Sequence, residues 1–167
     1  MSTITTSIDK ELFVKMVLSN WELQISRTNN LLGKLSDEEL STQTATGRNT
    51  GVYLLGHLAA VSDGMFTILG LGERHNPAMD EIFLRNPDNS GIEKPSIDEL
   101  KQYWNKVNSS LLHQMTEIST DEWFNRHTAV PTEDFAKEPH RNKLNIVINR
   151  TNHLSYHLGQ LAYLVTK

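Results

Sequence analysis

The chain has 167 residues, no cysteine, seven histidines and a formal net charge of −4. The length suits a single domain spanning 1–167. Without cysteine there can be no disulfide, no thiolate-held zinc, no iron–sulfur cluster and no cysteine nucleophile, so any transition metal must rest on histidine, carboxylate or solvent.

Four segments carry a helical period. The first covers residues 8–32, where Leu12, Met16, Val17, Trp21 and Leu31 recur at helix spacing and Asp9 offers an early cap. The second, residues 49–69, carries Leu54, Leu58, Val61, Met65 and Ile68. The third follows Pro95: Ser96 with Glu99 makes a capping-box pattern, and Leu100, Trp104, Val107, Leu111, Met115 and Ile118 form one stripe. The fourth covers residues 142–165, after Pro139.

Polar connections rich in turn residues separate these segments. Residues 33–48 join the first pair, 71–95 the second and third (with a short helical piece at 79–84), and 119–141 the last pair. Val130 suggests a short extended piece, and no alternating pattern suggests a sheet. Four helices of this length predict an all-α four-helix bundle with long connecting loops, the kind of loops that serve as lids or pocket walls. The echo between Ser36-Asp37-Glu38-Glu39 and Ser119-Thr120-Asp121-Glu122 reads either as a common cap or as two similar helix pairs, first with third and second with fourth. Residues 1–6 show neither a basic nor an apolar leader region, no apolar run approaches about 18 residues, and no basic tract occurs. The expectations are a cytoplasmic chain with neither nucleic acid nor membrane as partner.

The chemistry gathers on the fourth segment, in Asn152-His153-Leu154-Ser155-Tyr156-His157-Leu158-Gly159-Gln160. His153 and His157 stand one turn apart on the same face and can chelate one ion. At about 100° per residue, Ile146, Asn149, Arg150, His153, His157, Gln160 and Leu164 share an arc bordering the apolar arc of Val147, Leu154, Leu158, Leu161 and Val165. A buried polar stripe is costly unless satisfied, either by a metal or ligand or by facing side chains. His57, central in the second segment, shares its face with Thr50, Tyr53, Val61, Gly64 and Ile68 and also points inward. Alone it would read as a satisfied core histidine. With the other two it makes three imidazoles and leaves coordination positions open, the layout of a catalytic site. His75, His127 and His140 fall in connections and His113 on a solvent face. Of these four, His127 has the best chance of reaching a site, on a loop able to fold over a pocket. No phosphate loop, nucleophile elbow or Glu-x-x-His pair accompanies them.

An inward histidine in the second helix, followed by His153-x-x-x-His157-x-Gly159-Gln160, resembles the DinB-like superfamily over nearly the whole chain. The resemblance implies an up-down-down-up bundle, often a homodimer, with a divalent metal, commonly nickel or zinc, on His57, His153 and His157. It also implies kinship with bacillithiol- or mycothiol-dependent transferases and with metal-dependent hydrolases. The leading expectation is a metal-dependent transferase that activates a low-molecular-weight thiol towards a small-molecule electrophile. The alternatives are a hydrolase with metal-activated water and a bundle that binds metal or ligand without catalysis. Thr50, Tyr53, Arg150 and Gln160 are the pocket candidates. Gln160 could instead orient an imidazole, and Arg150 could equally bind a substrate carboxylate or pair with an acidic loop residue.

Overall fold

The computed structural model describes residues 2–165, with side chains from Ile8 onward. The reading of residues 1–6 as lacking a leader lies outside the described side chains. Seven α-helices follow in order: α1 Ser2–Leu32, α2 Asp37–Leu40, α3 Gly51–Leu69, α4 Met79–Phe83, α5 Ile97–Thr116, α6 Thr132–Lys137 and α7 Lys143–Leu161. Single 3₁₀ turns lie at Glu122–Phe124 and Ala162–Leu164. Among the described residues there is no strand. The bridges Gln43–Thr50 and Arg126–Asn142 stand alone.

The helix starts follow from side-chain caps. The Ser96 hydroxyl accepts from the Glu99 amide, and the Glu99 carboxylate accepts back from the Ser96 amide. Ser36 and Glu39 repeat the arrangement at α2. Thr50 and Asn142 cap α3 and α7 by accepting from the amides of Tyr53 and Asn145. Each such cap stabilises its helix by about 1 kcal/mol. Helix α3 ends at Gly70, whose φ of 73° is left-handed, and the Leu71 amide then reaches back to the Phe66 carbonyl.

Contacts at the helix ends set the direction of each long helix. Gly51, which opens α3, packs on Leu164 just beyond α7, while Gly70 at the other end of α3 lies by Lys143, so α3 and α7 are antiparallel. Lys10 and Phe13 of α1 meet Asp121 and Phe124, in the turn that Lys143 at the start of α7 holds through Glu122, and Asn20 shares a groove with Thr151 and Asn152, so α1 and α7 are parallel. Asn29, late in α1, accepts from the Trp104 indole, early in α5, whereas Trp21 lies by Met115, so α1 and α5 are antiparallel. The bundle is up-down-down-up. Backbones approach most closely between α3 and α5, α1 and α7, and α3 and α7. The second long helix thus lies mainly against the third and the first against the fourth, which is not the first-with-third, second-with-fourth division that the echo allowed; the first meets the third mainly through side chains.

Trp21, Trp104, Trp123, Phe66 and Phe83 are the largest fully buried side chains in one continuous core. On α1 the inward row runs through Val14, Trp21 and Thr28, and Leu12 and Met16, expected inside, are 56% and 60% exposed. Apolar residues lie on both sides of α1, so periodicity alone could not tell which row meets α5 and α7. Val165 is likewise exposed, because α7 stops at Leu161 and the chain turns; Leu164 is buried against Gly51 instead. Val130 is buried on a bend, not on an extended piece. By length and hydropathy alone α3 passes as a membrane span, contrary to the expectation from sequence. Its apolar character matches its place at the centre of the bundle, where 67% of it is buried.

The long connection after α3 is stitched down by Asp63. That carboxylate accepts from the amides of His75 (2.8 Å) and Asn76 (3.1 Å), from Arg74 Nε and from the Tyr103 hydroxyl. The stitching returns α4 to the surface of α3 and brings Phe83 beside His57.

Candidate metal centre

His57 owes its surroundings to its neighbour in sequence. A Cβ on Gly56 would land on the Phe83 ring, so the glycine lets Phe83 pack directly on α3. The Phe83 carbonyl then lies 2.9 Å from His57 Nδ1. A carbonyl only accepts, so Nδ1 carries the proton and Nε2 keeps a bare lone pair. On α7, His157 Nδ1 lies 2.7 Å from Gln160 Oε1, which leaves its Nε2 bare in the same way. Both Nε2 atoms point at His153 Nε2, each at 3.1 Å.

This arrangement is incomplete as it stands. A proton on His153 Nε2 can serve one neighbour, and the other then faces it lone pair to lone pair. A proton on His153 Nδ1 would serve neither, and that atom is buried without a partner. A cation meeting all three Nε2 atoms resolves the conflict. The three donor atoms lie within 4.8 Å of one another, so His57, His153 and His157 could hold one ion. Two nitrogens each about 2.0–2.1 Å from an ion are roughly 3 Å apart, so the 3.1 Å spacings ask for little movement.

Electrostatics also favour neutral, ligand-ready imidazoles. Burial pushes His153 down to about 4, helped by the adjacent His157 and His57 and by the Arg150 charge. Burial lowers His57 too, with the Phe83 carbonyl opposing and Arg150 assisting. It lowers His157 against the opposing bond from Gln160.

Beside His157 a cavity of about 250 Å³ is walled by Thr44, Gly47, Arg48 and Asn49 from the loop before α3 and by Tyr156 and Gln160 from α7. The pocket candidates take different places around it. Gln160 both orients His157 and lines the cavity. Thr50 caps α3, donates its amide to Asp88 at 2.7 Å, and lines a neighbouring cavity. Tyr53 stacks on His57 at 6.3 Å, and its hydroxyl donates to the Asn86 carbonyl at 2.6 Å, so it backs the imidazole and faces the α4 loop. Arg150 is half-buried one turn before His153, and its Nε is buried without a partner. Of the remaining histidines, His75, His113 and His140 are exposed. His127 is buried in its loop, its pKa lowered by burial and by Arg141 and Arg126, and it is not among the clustered ligands.

Sequence reasoning missed the Phe83 carbonyl and the Thr44–Asn49 wall. A backbone acceptor leaves no mark in sequence. Gly56, a mid-helix glycine adjoining the histidine, was the available sign of a close approach.

A model of the DinB superfamily matches residues 20–161, a span that includes all three histidines. The chain belongs to the DinB superfamily. Among solved structures it is similar to a DinB-like protein from Bacillus cereus ATCC 10987, with a TM-score of 0.65 and 18% identity over 89% of this chain and 87% of that one. It is also similar to a conserved protein from Enterococcus faecalis, with a TM-score of 0.57 and 15% identity over 90% of this chain and 93% of that one. At these identities the two likenesses speak to the fold. No curated protein is significantly similar to the chain. In this DinB-superfamily bundle, His57, His153 and His157 meet in space.

Proposed function

We propose that this DinB-superfamily chain is a metal-dependent transferase that joins a low-molecular-weight thiol to an electrophilic small molecule. The observation that carries the reading is the meeting of three imidazoles, two with Nδ1 held and Nε2 bare, at the edge of a cavity. His57, His153 and His157 would hold a divalent ion, nickel or zinc by donor type, which when bound lowers the pKa of a thiol or water beside it. The Phe83 carbonyl and Gln160 keep the two flanking rings aimed, the role of partners behind a metal ligand. The Thr44–Asn49 loop and Tyr156 wall the space where the electrophile would lie. In the overall reaction the thiol S–H proton passes to solvent, an S–C bond forms, and the electrophile's leaving group departs with its electron pair. Because the chain has no cysteine, the thiol comes from outside.

Hydrolysis would in addition require a base to take a proton from water. No carboxylate joins the clustered ligands among the described residues, which favours the thiol. The chain would act in the cytoplasm, as a homodimer through the outward apolar row Ile8, Leu12, Met16 and Leu23 of α1. A screen of nickel- and zinc-loaded protein with several thiols and electrophiles tests the activity. Thiol-dependent product is expected, and turnover without thiol would contradict the reading. Sedimentation tests the dimer, and a monomer at micromolar concentration would overturn it.

A further inference from the structure

Arg150 is a charge without a counter-charge. It lies one turn before His153 on α7, half-buried, with its Nε sealed from solvent. The sequence left open whether an acidic loop residue pairs with it. Among the described residues none does: no ion pair reaches Arg150, and the buried carboxylates are taken elsewhere, Asp88 by Lys94, and Asp63 and Asp80 by Arg74. On α7, at about 100° per residue, Arg150 falls in the same arc as His153 and His157, one turn before the first of them. Its charge adds, after burial, to what keeps His57 and His153 neutral.

The ligands and the lining of the adjoining cavity bring positive charge, and the carboxylate beyond them, Asp88, is already paired with Lys94. The three histidines are neutral ligands, so a divalent ion held by them keeps its full charge, and Arg150 adds one more. Arg48 lines the adjoining cavity, and none of that cavity's lining residues is acidic. Burying a guanidinium beside a cation site is unfavourable on both counts: the donor loses water, and the two charges repel. One anion from outside would relieve both. A guanidinium matches a carboxylate in shape, with parallel N–H donors facing two oxygens.

We propose that the small molecule bound at this centre carries a carboxylate and that Arg150 is the side chain that receives it. The inference rests on the metal-centre reading above and adds the chemical class of the ligand. The carboxylate could sit on the thiol or on the electrophile, and these two sources are separable. Zinc-loaded wild-type and Arg150→Gln proteins would be titrated calorimetrically with 3-mercaptopropionate, 2-mercaptoethanol and propionate. Wild type is expected to bind 3-mercaptopropionate at least about tenfold more tightly than 2-mercaptoethanol, since a charge-assisted bidentate contact is worth that factor or more. In Arg150→Gln the two thiols should bind alike, with zinc content and 2-mercaptoethanol affinity unchanged, and Arg150→Lys should restore part of the preference. Propionate that competes with 2-mercaptoethanol places the carboxylate on the thiol. Propionate that binds alongside saturating 2-mercaptoethanol places it on the electrophile.

Equal affinities of wild type for the charged and uncharged thiols, with no binding of propionate, would overturn the proposal. So would a preference that survives in Arg150→Gln. Because zinc alone can chelate both groups of 3-mercaptopropionate, Arg150→Lys carries the test if Arg150→Gln fails to fold: a preference undiminished in Arg150→Lys would overturn the proposal. Arg150-dependent propionate binding without any thiol binding would instead overturn the thiol reading and leave the carboxylate site standing.

Discussion

His57 and Asp63 lie on the same helix, α3, and both carry polar side chains into the bundle. Asp63 is fully buried and meets four donors, from Arg74, Tyr103 and the amides of His75 and Asn76. Asp80 then holds Arg74 from the other side, and Tyr103 is driven far above its ordinary pKa, first by burial and then by the Asp63 charge. Every strong group in that cluster has a partner within the chain, and the result is a fixed loop. The histidine cluster is built the opposite way. Its outer nitrogens are held by Phe83 and Gln160, while its inner nitrogens face one another and His153 Nδ1 has no partner. A closed polar cluster gives structure, and an open one is satisfied by something the chain does not supply.

The contrast is broken most directly by removing each centre in turn. Asp63→Ala leaves two loop amides without their acceptor and Arg74 to Asp80 alone, and urea unfolding should show a loss of about 2–5 kcal/mol. His153→Ala should lower the stability of the metal-free protein by less than about 1 kcal/mol while abolishing metal binding. Equal losses in the two variants would erase the distinction. Adding nickel or zinc at a hundred times its Kd should stabilise wild type by about 2.7 kcal/mol. That gain should vanish in His57→Ala.

Gly56→Ala probes the joint between the two clusters. The new methyl would collide with the Phe83 ring. Overpacking of this kind costs about 1–3 kcal/mol, and displacing the carbonyl behind His57 should weaken metal binding roughly 10–100-fold. Loss of stability with metal affinity intact would show that the Phe83 carbonyl does not position His57.

The smallest expected effect is in pH. His153 sits near 4 in the folded metal-free protein and at 6.5 when unfolded. Between these values the unfolded chain binds more protons, so stability rises with pH. The contribution is complete above about 6.5 and is lost as the pH falls towards 4. His57 and His157 act with the same sign, since their pKa values are lowered too, and half-exposure keeps the total modest. Denaturant midpoints across this range should flatten in His153→Ala, and an unchanged slope would contradict the assignment.

Much of the bundle was legible because its helices announce themselves chemically. Ser96 with Glu99 marked the start of α5 to the residue, and the single stripe of α5 matched its buried face. The start of α3 was set two residues early because Thr50 caps it from outside the helix. Helix α1 was found but turned, since Leu12 and Met16 offer a second apolar row as good as the first. The three histidines could be gathered from helix spacing and inward faces, and the DinB resemblance added the pattern that joins them. What held them in place was not legible. The Phe83 carbonyl acts through backbone, and it arrives at His57 through a fold of the connection that Asp63 organises. Tyr53 was placed on the correct face, but which way its hydroxyl turns depends on the Asn86 carbonyl, again a backbone acceptor.

The most direct test of the account is the metal content of the purified protein, measured by elemental analysis after dialysis, alongside His57→Ala, His153→Ala and His157→Ala. One divalent ion per wild-type chain, absent from each folded variant, is the predicted result. Wild-type protein that remains metal-free after incubation with nickel and zinc, or variants that retain the ion, would contradict it.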